Sequence, residues 1–190
     1  MEFDWKKTPV HYHNITKDDM LNGNGLRVVL WLAGCIHQCK DCQNPITWDA
    51  CGGLEFDEKA YDEIIKELEK GHIKGSTFSG GDPLHPANRQ FVGEFCKYIK
   101  ENYPTKDIWL YTGYTLTNVV DEFKFAAENK ESFEWEYLNL VDFVVDGRFE
   151  TDLRQADIKA QRKVHWRGSS NQRVIDVQRT LENNAFVCID

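Results

Sequence analysis

Four short apolar runs in this chain each end in a glycine-containing turn, and that repeat narrows the folds open to it. The runs are Arg27–Leu32, the stretch through Thr77 and Phe78, Asp107–Tyr111 and residues 141–145; the glycines are Gly34, Gly80 with Gly81, Gly113 and Gly147. Amphipathic stretches lie between them. Tyr61, Ile64, Ile65 and Leu68 recur at i, i+3, i+4 and i+7, which predicts a helix over 58–70 with Asp57 as N-cap and Gly71 at its end. Phe91, Phe95, Tyr98 and Ile99 predict a second helix over 88–101, and a third is expected over 117–128. Residues 129–137 mix charge and aromatic rings without a period, the pattern weakens after Gly147, and 186–189 is a candidate last strand. Strands alternating with helices predict an α/β fold around a parallel sheet. Ligands in such folds sit at the C-terminal ends of the strands, where glycine lets backbone approach them closely. The four turns therefore predict one site on one rim.

Nothing divides the chain. It has 190 residues and shows no internal repeat, low-complexity tract or Pro/Gly-rich linker, so a single domain over 1–190 is expected. A formal net charge of −8 argues against a general nucleic-acid surface and against a polybasic membrane patch. No apolar run reaches the roughly 18–20 residues that span a bilayer. Residues 1–19 are polar and lack the apolar core of a signal peptide, so a cytoplasmic protein is expected.

In a reducing compartment a tight cysteine group reads as a metal site rather than a disulfide frame. Cys35, Cys39 and Cys42 follow the first expected strand with the spacing Cys-x-x-x-Cys-x-x-Cys. Three thiolates on one compact loop suit an iron–sulfur cluster of four irons, with one iron left open for a substrate. The spacing alone also admits a zinc site, for which no second Cys/His pair is present, and a redox dithiol at Cys39 and Cys42, which leaves Cys35 unexplained. Cys51, Cys96 and Cys188 are scattered and read as structural; Cys96 falls near the apolar stripe of its helix.

The cysteine spacing resembles the signature of the radical S-adenosylmethionine superfamily. Other blocks narrow the resemblance to the activating components of anaerobic ribonucleoside-triphosphate reductases: Ser79-Gly80-Gly81-Asp82-Pro83-Leu84-His85-Pro86, Asp107-Ile108-Trp109-Leu110-Tyr111-Thr112-Gly113-Tyr114 and Trp166-Arg167-Gly168-Ser169-Ser170-Asn171-Gln172-Arg173. Shorter matches at 22–27, 34–39 and 145–149 keep the same order, so the likeness covers about residues 9–173. Two positions depart from the pattern: Asp41 and Gln43 flank Cys42 where aromatic residues are common.

The resemblance implies an incomplete parallel (β/α) barrel of about six units or fewer, open on one side so that a loop of another protein can enter. It implies a [4Fe–4S] cluster on Cys35, Cys39 and Cys42 that binds and reductively cleaves S-adenosylmethionine. The resulting 5′-deoxyadenosyl radical would take a hydrogen atom from a glycine of the reductase and leave a glycyl radical. A different glycyl radical enzyme, or a small molecule, is the alternative substrate. The cofactor carries the chemistry, so no catalytic acid or base is expected beyond the cluster ligands. The cofactor-binding residues implied are Asp41, Cys42 and Gln43, then Ser79, Gly80, Gly81 and Asp82 for the methionine ammonium, Thr112, and Asp146. From the residues alone, Asp146-Gly147 is equally the end of a strand. Arg27 reads as structural or partner-facing, and Arg167, Ser169, Asn171 and Arg173 as a partner surface or a cap. The partners implied are the reductase and a low-potential electron donor such as flavodoxin.

Overall fold

The structure is a computed structural model and describes residues 3–118, 124–127 and 132–189. Its centre is a seven-stranded sheet in the order β10-β9-β5-β4-β2-β1-β3. In chain order these strands are β1 (His11–Asp19), β2 (Arg27–Leu32), β3 (Leu54–Glu55), β4 (Gly75–Gly80), β5 (Asp107–Tyr111), β9 (Phe143–Asp146) and β10 (Arg173–Asp176). The neighbours β2, β4, β5 and β9 run parallel, while β1, β3 and β10 add antiparallel edges. The chain is therefore a mixed α/β protein whose central strands are parallel, as the alternating pattern predicts.

Helices α1 (Glu58–Leu68) and α2 (Arg89–Asn102) form where the stripes place them. Asp57 caps α1, its side chain accepting the Ala60 N–H at 2.9 Å. Both helices bury their stripes in one core with Val28, Leu30, Leu32, Phe78, Ile108 and Leu110. Phe3 joins this core from the N-terminus and stacks on Phe95 at 4.6 Å.

The pairing register sorts the residues of the parallel strands onto two faces. Arg27 pairs with Gly75 and then Asp107, Val29 with Thr77 and then Trp109, and Trp31 with Ser79. Side chains alternate along a strand, so these residues share the face opposite the two helices. Arg27 is fully buried there: Nε donates to Thr77 Oγ1 at 2.8 Å, and an Nη pairs with Asp107 Oδ1 at 2.5 Å. It is structural and closes the lower end of that face.

Three expectations change. The strand that opens the parallel set is the second in the chain, because β1 precedes it with the polar sequence His-Tyr-His-Asn-Ile-Thr-Lys-Asp-Asp. The helix expected over 117–128 does not form. Its described parts are strands β6 (Thr115–Asn118) and β7 (Lys124–Ala126), which with β8 (Ser132–Glu134) make a three-stranded meander; residues 119–123 and 128 lie outside the described residues. The reason is cross-strand packing, for Leu116 faces Phe125 and Phe125 faces Phe133, their rings stacked at 5.9 Å. The third change concerns the last segment: α3 (Thr151–Lys159), β10 and α4 (Val177–Asn183) follow β9, and 186–189 contributes a single bridge, Cys188 to Ile175.

Candidate active site

A cavity of about 680 Å³ opens at the C-terminal ends of β2, β4 and β5, on the face away from α1 and α2. That volume suits a drug-sized ligand. Cys35, Cys39 and Cys42 line it, together with Gln43, Ser79, Gly80, Gly81, Asp82 and Thr112. Two residues of the expected set do not. Asp41 is exposed. Asp146 is buried beneath the rim, paired with Arg173 and accepting the Leu116 N–H at 2.9 Å.

The cysteine loop is held by its own backbone and by the strand ends. Gly34 and Cys35 donate N–H bonds to the carbonyls of Thr47 and Trp48 at 2.8 and 3.1 Å, which folds the loop back on itself. Gln38 and Asp41 take left-handed backbone with φ of 45° and 56°, each just before a cysteine. Aspartate tolerates that conformation better than a bulky aromatic does, which gives a local reason for Asp41 before Cys42. Cys39 is buried, and the Asn44 N–H points at Cys42 Sγ from 3.4 Å. Burial pushes the Cys35 thiol up to about 11, with the Asp82 carboxylate adding to the effect.

The turn after β4 presses directly on this loop. Gly81 and Asp82 donate to the carbonyls of Leu32 and Gly34 at 2.8 and 2.7 Å. A Cβ on Gly81 would sit 2.4 Å from the Gly34 oxygen, so no larger residue fits the approach. Asn88, at the head of α2, ties the two segments further by donating from Nδ2 to the Ala33 and Asp82 carbonyls. The Asp82 carboxylate is fully buried and accepts from Leu84 N, Thr112 Oγ1 and Gly113 N at 2.8, 2.9 and 2.8 Å. Its oxygens are thus engaged within the protein, joining the β4 turn to the β5 turn.

Several lining residues are not among those expected at the site, although Tyr111, Phe149 and Trp166 fall within the blocks that carry the family resemblance. Trp31, Trp48, Tyr111, Phe149 and Trp166 bring aromatic rings to the cavity, and Arg154 reaches it from α3. The Tyr111 hydroxyl is buried without a hydrogen-bond partner among the described residues. Trp166 is delivered by the block 166–173, which bonds to itself and to the end of β9: Gln172 accepts from Gly168 N and donates to the Gly147 carbonyl, both at 2.8 Å, and Asn171 donates to the Arg148 carbonyl. Ser169 Oγ accepts the Glu150 N–H at the head of α3 and Arg173 pairs with Asp146 at the end of β9, so the block is tied to both elements.

The donor set fits an iron–sulfur cluster. Cys35, Cys39 and Cys42 all line the one cavity, and three thiols on a single loop suit a cluster in which each sulfur takes its own iron.

Comparison with known proteins agrees. The model of a 4Fe-4S single cluster domain matches residues 21–175. The anaerobic ribonucleoside-triphosphate reductase-activating protein of Pasteurella multocida (strain Pm70) is 38% identical over 86% of this chain and 95% of its own length. The proteins of that name from Enterobacteria phage T4 and Escherichia coli (strain K12) are each 37% identical, over 93% and 96% of their lengths. The chain belongs to this family. Among solved structures, QueE from Escherichia coli aligns over 96% of the chain at 10% identity with a TM-score of 0.37, too loose a likeness to inform detail.

Proposed function

We propose that the chain activates an anaerobic ribonucleoside-triphosphate reductase as a radical S-adenosylmethionine enzyme. The observation that carries this reading is the meeting of the three-cysteine loop and the Gly80–Gly81 turn at one open cavity, in a chain of the activase family. When bound on Cys35, Cys39 and Cys42, the [4Fe–4S] cluster supplies the electron that cleaves S-adenosylmethionine, which opens the route to a glycyl radical on the reductase.

The chain's own residues bind and position. The Gly81 and Asp82 N–H groups are engaged by Leu32 and Gly34 and the Asp82 carbonyl by His85 and Asn88, so a methionine ammonium would be received by the carbonyl oxygens of Gly80 and Gly81. Ser79 and Thr112 flank that spot, and Gln43 and the backbone at Asp41 lie beside Cys42. Phe149 and Trp166 line the cavity with aromatic rings. We read the sheet as part of an incomplete (β/α) barrel in a single domain. In support, β10 and β3 are the two ends of the strand order. The cysteines outside the motif are scattered, so the electron comes from outside, from a low-potential donor such as flavodoxin. All six cysteines are free and no described helix is long and apolar enough to cross a membrane, which accords with a cytoplasmic setting.

The test is anaerobic purification. Brown protein with about four irons is expected, releasing 5′-deoxyadenosine from S-adenosylmethionine under dithionite and raising a glycyl doublet in the EPR spectrum of the reductase. Colourless protein with one zinc overturns the enzyme reading. Cleavage without a doublet on a competent reductase overturns the choice of substrate.

A further inference from the structure

We infer that His37 is a positioning residue that locks the cysteine loop to the Gly80–Asp82 turn, so that cluster and S-adenosylmethionine are held in one register. This rests on the function proposed above.

His37 lies between Cys35 and Cys39, yet its side chain points inward and is only 4% exposed. Its Nε2 stands 2.9 Å from Asp82 Oδ2. The ring nitrogen is not aligned for a regular hydrogen bond, so the contact is polar and close rather than directional. The ring lines the cavity on one side and is packed by the β5 turn on another. Tyr114 packs against it edge-on at 4.6 Å and 79°, and a Cβ on Gly113 would fall 2.4 Å from its Cδ2. Gly113 is therefore glycine because the imidazole occupies that space. The backbone is anchored as well, since Arg148 Nη2 donates to the His37 carbonyl at 2.8 Å.

Asp82 is the other half of the lock. The same carboxylate that meets His37 accepts from Thr112 and Gly113 at the end of β5 and from Leu84 beyond the β4 turn. One buried carboxylate thus joins three segments: the loop that carries the cysteines, the turn proposed to receive the ammonium, and the β5 turn. A shift of the loop cannot occur without moving the turn. Groups that orient metal ligands from behind commonly cost about 10–100-fold when removed.

The test compares His37→Gln with His37→Asn. A glutamine amide nitrogen reaches the place of Nε2, whereas that of asparagine stops short. After anaerobic reconstitution each variant is assayed for iron, then titrated with S-adenosylmethionine while the EPR spectrum of the dithionite-reduced cluster is followed. H37N is expected to keep about four irons and to need roughly tenfold more S-adenosylmethionine for half of the spectral change, with H37Q close to wild type. Asp82→Asn should weaken the response similarly, and the double variant H37N/D82N should be no worse than D82N alone, as coupled residues require. Should H37N fail to fold, D82N carries the test: about four irons kept with a roughly tenfold weaker response supports the lock, and a wild-type titration overturns it.

The inference is overturned if H37N titrates like wild type. It is also overturned if H37Q is as impaired as H37N, or if every variant loses iron in step with its response, because His37 then only keeps the loop folded. Wild-type protein that holds no cluster, or whose cluster ignores S-adenosylmethionine, sinks the proposed function instead.

Discussion

On the face of the sheet that α1 and α2 cover, Val28, Leu30, Phe78, Ile108, Leu110 and Val144 form one continuous apolar core. The opposite face alternates in character along the strands. At its lower end Arg27 and Thr77 are buried, Asp107 is partly exposed, and the Arg27 guanidinium lies over the Trp109 ring; at its upper end Trp31, Ser79 and Tyr111 border the cavity. The first face is stabilised by area removed from water and asks only for complementary shape. The second carries polar groups that must be satisfied within the protein or by a ligand. The charged end is filled, its guanidinium paired with Asp107 and hydrogen-bonded to Thr77, while the end at the cysteines is left open.

The largest expected effect comes from breaking the filled end. Burial pulls the Arg27 guanidinium below its ordinary value and pushes the Asp107 carboxyl above its own, so the cost of drying both charges outweighs their attraction. The pair therefore settles which groups meet there more than it adds stability. Arg27→Met, which strands Asp107, should cost about 4 kcal/mol by urea unfolding, and Arg27→Met with Asp107→Leu should recover most of that. A double variant as unstable as the single one would mean that the pair is a net source of stability.

On the apolar face, Leu30→Ala should cost about 3 kcal/mol, the usual price of a buried leucine cavity. It should leave the affinity of the reduced protein for S-adenosylmethionine unchanged at a temperature where the variant is folded. A parallel loss of affinity would show that the two faces are not independent.

A smaller effect is expected from Cys96, on α2 and fully buried. Burial raises its thiol well above the ordinary value of 9.0. In the unfolded chain the thiol loses its proton as pH passes that value, whereas in the folded chain it does not. Stability from this group is therefore present below about pH 9 and falls by about 1.4 kcal/mol per pH unit above it. Cys96→Ala, compared with wild type by urea unfolding between pH 8 and pH 10, should remove that part of the slope; identical slopes would mean that the thiol ionises in place.

How much of this was legible in the sequence follows from how local each signal is. β2 and β5 match the expected runs residue for residue, and α1 and α2 fall within two residues of their expected ends, because each is written in one continuous period. β1 is hidden because its residues are largely half-exposed and polar, so no apolar alternation announces it. The meander is hidden because Leu116, Phe125 and Phe133 come from three short strands whose pairing appears only in space. The site divides the same way. The cysteines and the Gly80–Asp82 turn are compact motifs, whereas the meeting of His37 with Asp82 and the aromatic walls depend on the sheet order.

Tyr111 gives the finest test of the two faces, since it differs from a core residue by one oxygen. Its ring packs beside Trp109 and Val145, while its hydroxyl is buried at the cavity with no protein partner among the described residues. Burial holds the phenol protonated far above its ordinary range, so at neutral pH it is a hydrogen-bond donor. A buried donor left unpaired is a standing cost to the fold, and removing it without changing shape should be close to neutral. Tyr111→Phe should therefore leave the unfolding midpoint unchanged or slightly raised, within about 0.5 kcal/mol. The same change should weaken S-adenosylmethionine binding by about two- to tenfold, the worth of one hydrogen bond. If binding holds and stability rises, the hydroxyl serves no ligand. If stability falls by more than about 1 kcal/mol, the hydroxyl was bonded within the protein after all, and the upper end of this face is as closed as the lower.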